Sequence, residues 1–176
     1  MAHIEQRNFC TKVRAIHPKH FYNVNVLDIG SLDVNGSNSF LFTGSNTTYM
    51  GIDVVMGKNV HALSKGHEWS APDGCYDTVI STECFEHDPY YELTFKNIIR
   101  MLKSGGMFLF TCATVGREIH GIAKGLTSHP AWWGDYYKNL VAKDIRESID
   151  VDEIFKEYLF EVNDKSCDLY FYGIKK

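Results

Sequence analysis

The chain has 176 residues, enough for one domain with a sizeable buried core. Hydrophobic residues make up 44% and charged residues 23%, an ordinary balance for a globular protein rather than a disordered or membrane-spanning one. Eighteen Lys and Arg stand against 22 Asp and Glu, a net charge of −4, which gives no reason to expect a nucleic-acid partner, since such proteins usually present a basic face.

The first residues place Ile4, Phe9, Val13 and Ile16 at mixed helical spacing and predict an amphipathic helix within residues 1–20, ending before Pro18. Asn25 to Gly30 is a short apolar run stopped by glycine, the pattern of a buried first strand. A short helix is expected from Ser37 to Phe42. A second strand is expected from Thr48 to Asp53 and a brief third from Asn59 to Leu63. Ala71-Pro72-Asp73-Gly74 has turn chemistry and leads into a fourth strand, Tyr76 to Ser81. A one-sided helix over Pro89 to Leu102 ends at Lys103-Ser104-Gly105-Gly106, and Met107 to Thr111 form a fifth strand.

Residues 114–139 are irregular. A helix is expected from Asp144 to Tyr158, with Ile145, Ile149, Ile154 and Phe155 as its apolar members. Two last strands, Tyr158 to Val162 and Leu169 to Ile174, read as a hairpin. Alternating strands and helices imply an α/β fold: a doubly wound, mostly parallel seven-stranded sheet with a C-terminal antiparallel hairpin, all in one domain, 1–176.

Five cysteines, Cys10, Cys75, Cys84, Cys112 and Cys167, are odd in number and form no C-x-x-C pair. Free thiols in a reducing, cytoplasmic setting are the simple reading, with no metal site expected. No apolar run approaches membrane-spanning length, and Met1 to Arg7 lack a secretory apolar region.

Ligands of open α/β sheets bind at the carboxyl ends of the strands. Gly30 would let the backbone turn tightly there, and Asp28 could accept from the loop or attract a positive charge. Asp53 ends the second strand 23 residues after Gly30, where a carboxylate can accept from both hydroxyls of a ribose.

Four ordered blocks carry a resemblance. Val26-Leu27-Asp28-Ile29-Gly30-Ser31, then Gly51-Ile52-Asp53, then Tyr76 to His87, then Leu102 to Gly106 resemble the class I S-adenosylmethionine-dependent methyltransferases in order and spacing. The resemblance covers Phe21 to Thr111 and implies a Rossmann-like methyltransferase fold with S-adenosyl-L-methionine as cofactor. It implies that Gly30 and Ser31 line the methionine part of the cofactor, with Asp28 near its ammonium. It places Asp53 on the ribose, Val54 beside the adenine, and Ser81, Thr82 and Glu83 under the sulfonium. Two positions depart from the family pattern. Leu32 stands where a second glycine is usual. Lys65, followed by Gly66, His67 and Glu68, stands where an acid often meets the adenine amino group. A lysine cannot accept that hydrogen bond, so backbone, Glu68 or stacking must read the adenine.

Methyl transfer from a sulfonium is an in-line displacement that depends on positioning, and a protonated oxygen or nitrogen acceptor can need a base. The candidate bases are histidines. His120 and His129 lie in the irregular stretch, where the family builds its acceptor site; His120 is the preferred base and His87 a pocket residue. Trp132, Trp133, Tyr136 and Tyr137 suit an apolar wall or lid, or a loop anchored on the core. His3, His17, His20 and His61 read as structural or surface residues. The expected activity is methyl transfer to an O or N atom of a small-molecule or sugar-like acceptor. The alternative is a non-catalytic S-adenosylmethionine-binding protein that regulates or joins a complex.

Overall fold

In the computed structural model, residues 3–121 and 136–176 are described. They form one seven-stranded sheet. Its strands are β1 (Asn25–Ile29), β2 (Thr48–Asp53), β3 (Ala62–Leu63), β4 (Tyr76–Thr82), β5 (Leu102–Ala113), β6 (Phe155–Asn163) and β7 (Asp168–Lys175). The order across the sheet is β3-β2-β1-β4-β5-β7-β6. Neighbours from β3 to β5 pair in parallel, and β7 runs antiparallel to both β5 and β6. β7 alone is reversed, so the other six strands share one direction.

The alternation of side chains along β1 divides the core between the two faces of the sheet. Leu27 and Ile29 join the layer under α2 (Tyr91–Met101), α3 (Ala142–Ser148) and α4 (Val151–Ile154). Val26 joins the opposite layer with Phe9, Cys10 and Val13 of α1 (Ile4–Ile16). Phe108 and Phe110 of β5 pack with Phe95 of α2 and Phe171 of β7. Each element thus buries the face its apolar spacing supplies, and the doubly wound arrangement follows.

α1 ends at Ile16 before Pro18, as its sequence requires. Elsewhere the structure differs from the sequence pattern. The stretch Ser37 to Phe42 makes only a 3-10 turn at Ser39–Leu41. There the Ser37 hydroxyl accepts from the Ser39 amide at 3.0 Å, a local bond that competes with helix. β3 shrinks to two residues because Asn59 adopts φ +71° and spends its side chain on neighbouring loops. The apolar spacing from Ile145 to Phe155 is no single helix. Its ladder stops at Ser148, and the Asp150 carboxylate accepts from the Glu153 amide at 2.9 Å to start the separate turn α4. Phe155 then opens β6, so residues 155–158 are strand rather than helix. No helix among the described residues is long and apolar enough to cross a membrane.

Candidate active site

The carboxyl ends of β1, β2 and β4 meet at one edge of the parallel sheet. Gly30, just past β1, holds φ +76°, and a Cβ there would lie 2.5 Å from the Cys84 sulfur. Glycine is required by the turn and by the close passage of the segment after β4. The Gly30 and Ser31 amides both donate to the Ile52 carbonyl, at 2.9 and 3.1 Å. The Ser31 hydroxyl donates to the Asn59 carbonyl at 3.1 Å.

Asp53 ends β2 and organises two loops. One carboxylate oxygen accepts from the Leu32 amide at 3.1 Å and the other from the Val55 amide at 3.0 Å. Each oxygen keeps a second lone pair for a ligand donor. Burial raises the Asp53 carboxyl above its usual range, and the backbone donors of Val55, Leu32 and Val54 oppose that rise. Leu32 lies against Gly57, where a Cβ would come within 2.4 Å of its methyl group. The bulk of Leu32 is therefore accommodated by a glycine in the facing loop.

Asp28 is buried within β1, on the α1 side. One of its oxygens accepts from the Tyr49 hydroxyl, which in turn accepts from Asn59 Nδ2 at 2.9 Å. Asn59 Nδ2 also reaches the Ser31 carbonyl at 3.0 Å and the Ser37 hydroxyl at 3.1 Å. The other Asp28 oxygen is buried and has no hydrogen-bond partner. Burial pushes this carboxyl up to about 7, with the Tyr49 hydroxyl opposing the rise. Asn38 is 2% exposed; its Nδ2 contacts the Thr82 hydroxyl at 3.4 Å and its carbonyl oxygen is unpartnered. Gln6 of α1 is fully buried with both amide atoms unpartnered. Orphaned buried polar atoms are costly and call for a ligand or ordered water.

The segment after β3 packs on α2 and β1. A Cβ on Gly66 would lie 2.4 Å from a Thr94 methyl and 3.1 Å from Ile29. Lys65 pairs with Glu68 at 2.9 Å, and the His67 ring lies tilted against Tyr90, with centroids 4.7 Å apart. Asp88 accepts from the Thr94 hydroxyl at 2.6 Å and from the Tyr90 amide at 2.8 Å, fixing the start of α2. Val54 follows Asp53 in the β2 loop and is half-buried.

The end of β4 divides its side chains. The Ser81 hydroxyl is turned inward and donates to the Ile29 carbonyl at 2.8 Å. Glu83, at φ +54°, accepts from the Thr111 hydroxyl at 2.9 Å and lies 3.8 Å from His3 Nε2. His3 in turn pairs with the buried Asp168 of β7 at 2.8 Å. These two carboxylates hold His3 in its charged form, raising its pKa to about 9. His3, read as a surface or structural histidine, thus ties the start of α1 to β4 and β7.

Beyond Glu83, a 3-10 turn at Phe85–His87 carries Glu86 and His87. His120 lies across from them, its ring centroid 5.2 Å from that of His87 at an interplanar angle of 85°. His120 Nδ1 is 2.9 Å from the Glu118 carbonyl, so that nitrogen donates and Nε2 is left as the acceptor. Burial lowers the His120 pKa and pushes that of His87 down to about 3, so both rings are neutral at pH 7. Tyr137 faces both rings, with centroids 5.3 Å from His87 and 5.0 Å from His120. His129, Trp132 and Trp133 lie outside the described residues.

The sequence pattern singled out Gly30, Ser31 and Asp53 for the cofactor, His87 as a pocket residue and His120 as a base; the fold brings the first three together and sets His87 beside His120. It did not single out Asn38, Tyr49, Asn59 or Glu86. Asn59 carries a faint signal as an asparagine between two strand patterns, since asparagine tolerates positive φ. Nothing in the sequence marks a buried glutamate between Phe85 and His87.

A family model described as "Methyltransferase domain" matches residues 1–148. No curated protein matches the chain by sequence. Among solved structures, YcgJ from Bacillus subtilis superposes with a TM-score of 0.66 at 11% identity, over 99% of this chain and 99% of that one. The 1,6-didemethyltoxoflavin-N1-methyltransferase of Burkholderia thailandensis, solved with S-adenosylhomocysteine, gives 0.64 at 13% identity, over 97% of this chain and 78% of that one. A SAM-dependent methyltransferase from Aquifex aeolicus gives 0.64 at 12% identity, over 97% and 89%. The match over residues 1–148, on this sheet order, places the chain in the methyltransferase domain family, with the Rossmann-like fold of the S-adenosylmethionine-dependent methyltransferases.

Proposed function

We propose that this protein transfers a methyl group from S-adenosylmethionine to an oxygen or nitrogen atom of a small-molecule or sugar-like acceptor. The observation that carries the reading is the set of buried, unpartnered polar atoms around Gly30: Asp28 Oδ1 on β1 and Asn38 Oδ1 beside the end of β4. Both are acceptors and fit the ammonium of an amino-acid moiety, whose N–H groups would supply the missing donors. Gly30 and Ser31 line that end, Asp53 accepts from the ribose hydroxyls, and Val54, Lys65, Gly66 and His67 border the base. The bound cofactor supplies an electrophilic methyl group.

The protein's task at the acceptor is to orient it and to remove its proton. His120 suits proton removal because its neutral Nε2 is fixed as the acceptor by the Nδ1 bond to Glu118. Tyr137 and His87 pack beside it and restrict how the ring can turn. The acceptor would enter beside His120 and Tyr137.

Calorimetric titration with S-adenosylhomocysteine tests the cofactor half, with binding at micromolar strength or tighter expected. Absence of heat and of any thermal shift at about millimolar ligand (about −4 kcal/mol of binding) would overturn the reading. Incorporation of labelled methyl groups into candidate hydroxyl- and amine-bearing acceptors tests the second half. Cofactor binding without turnover on any acceptor would leave a cofactor-binding protein instead.

A further inference from the structure

Glu86 is unusual among the described residues. Its side chain is completely buried, and neither carboxylate oxygen has a hydrogen-bond partner. Burial drives its pKa well up, with the nearby Glu83 charge adding to the rise. The backbone of Glu86 and Ala113 offsets that rise only in part, and among the described residues no cation pairs with the carboxyl, so the position favours an incoming cation or donor. His87 and His120 stand next to it. One ligand-capable atom from each of the three residues falls within 4.8 Å of the others.

The surroundings are arranged as those of a ligand set. His120 donates Nδ1–H to the Glu118 carbonyl, which fixes its tautomer and aims Nε2, a buried atom with no partner, inward. Metal-bound histidines almost always make such a bond with the second nitrogen. Gly121 (φ +66°) passes so close over His87 that a Cβ would lie 2.8 Å from its ring. The Lys138 amide donates to the Glu86 carbonyl at 2.9 Å and fixes the backbone of the turn.

We propose that Glu86, His87 and His120 bind one divalent transition-metal ion of the zinc class. Two imidazoles and one carboxylate match borderline ions such as Zn2+ rather than Mg2+ or Ca2+, which prefer oxygen alone. Bonds of about 2.0–2.1 Å would bring the ligand atoms about 3.3 Å apart, so the set closes by at most about 1.5 Å on binding. His120, partly exposed on its loop, can make that movement. Three protein ligands leave a coordination position open for an oxygen donor of the acceptor, such as a hydroxyl; with the ion bound, His120 Nε2 is a ligand rather than a base, and the ion would acidify that hydroxyl in its place. That last clause rests on the methyl-transfer reading; the metal site does not.

The test uses untagged, chelator-treated protein titrated with ZnCl2 by calorimetry, with metal content measured after gel filtration. The expected result is one Zn2+ per chain at micromolar affinity or tighter. Glu86→Gln preserves shape and removes the charge, and His120→Ala removes a ligand at a partly exposed position. Each should weaken binding at least about a hundredfold, and circular dichroism should show both folded. Should Glu86→Gln not fold, His120→Ala alone decides. Undiminished binding in the variants, or none in the wild type, overturns the proposal. S-adenosylhomocysteine titrations on the same samples separate the two readings. Zinc bound without the nucleoside retires methyl transfer and keeps the metal, and the converse does the opposite.

Discussion

Asp53 serves the structure directly and, on the proposed reading, the ligand as well. Its two oxygens hold the Leu32 and Val55 amides, so they are fixed in place before any ribose arrives. Asp53→Ala removes a charged acceptor whose hydrogen bonds are worth about 1.5–3 kcal/mol each, and S-adenosylhomocysteine affinity should fall at least about tenfold by calorimetry. Asp53→Asn keeps one acceptor oxygen and should lose less. His3 supplies a pH signature. Its folded-state pKa, about 9, lies above the 6.5 of a free histidine. The stability it contributes is therefore complete below about pH 6.5 and disappears as pH rises through about 9. Thermal unfolding should show a fall in Tm between those values that His3→Gln flattens. An equal slope in both proteins would remove His3 from the account. The place of Asp53 was legible in sequence because it closes the apolar run that forms β2. Glu86 and the His3 tie were not, because each depends on partners distant in the chain that only the fold assembles.

At the scale of elements, the turn after β4 is anchored by Phe85. This ring is fully buried, with centroids 4.6 Å from Phe95 and 5.4 Å from Phe110, and its neighbour Glu86 is carried with it. Phe85→Ala should destabilise the protein by about 3–5 kcal/mol in denaturant melts, leaving a cavity under the site. Gly30→Ala should also be costly, since the added Cβ meets both Sγ (2.5 Å) and Cβ (2.6 Å) of Cys84 at positive φ. A loss above about 2 kcal/mol is expected, and Cys84→Ala should not rescue it because the Cys84 Cβ remains. The parallel strands were legible because strands buried on both faces read as continuous apolar runs. The segment 144–158 was not, because Ile145, Ile149 and Ile154 keep a helical spacing across Asp150, where the helix in fact restarts. Phe155 fits either period, and pairing with Lys175 decides for strand.

For the whole molecule, a ligand that binds only the folded state raises its stability by mass action. S-adenosylhomocysteine at about 100 times its Kd should add about 2.7 kcal/mol, a Tm increase of about 5–11 °C for a chain of this size. Double-stranded DNA or RNA at equal concentration should leave Tm unchanged, as the net charge of −4 suggests.

The sheet order carries a consequence for how the protein is made. β7 follows every other strand in the chain, yet it lies between β5 and β6. Chains emerge from the ribosome amino end first. From the emergence of β5 until β7 is made, β5 therefore presents an unpaired apolar edge, Met107 to Cys112, that its own partner cannot yet reach. Exposed strand edges recruit other strands. The nascent chain is thus at its most aggregation-prone just before Asp168 to Lys175 leave the exit tunnel, and chaperone demand should peak there.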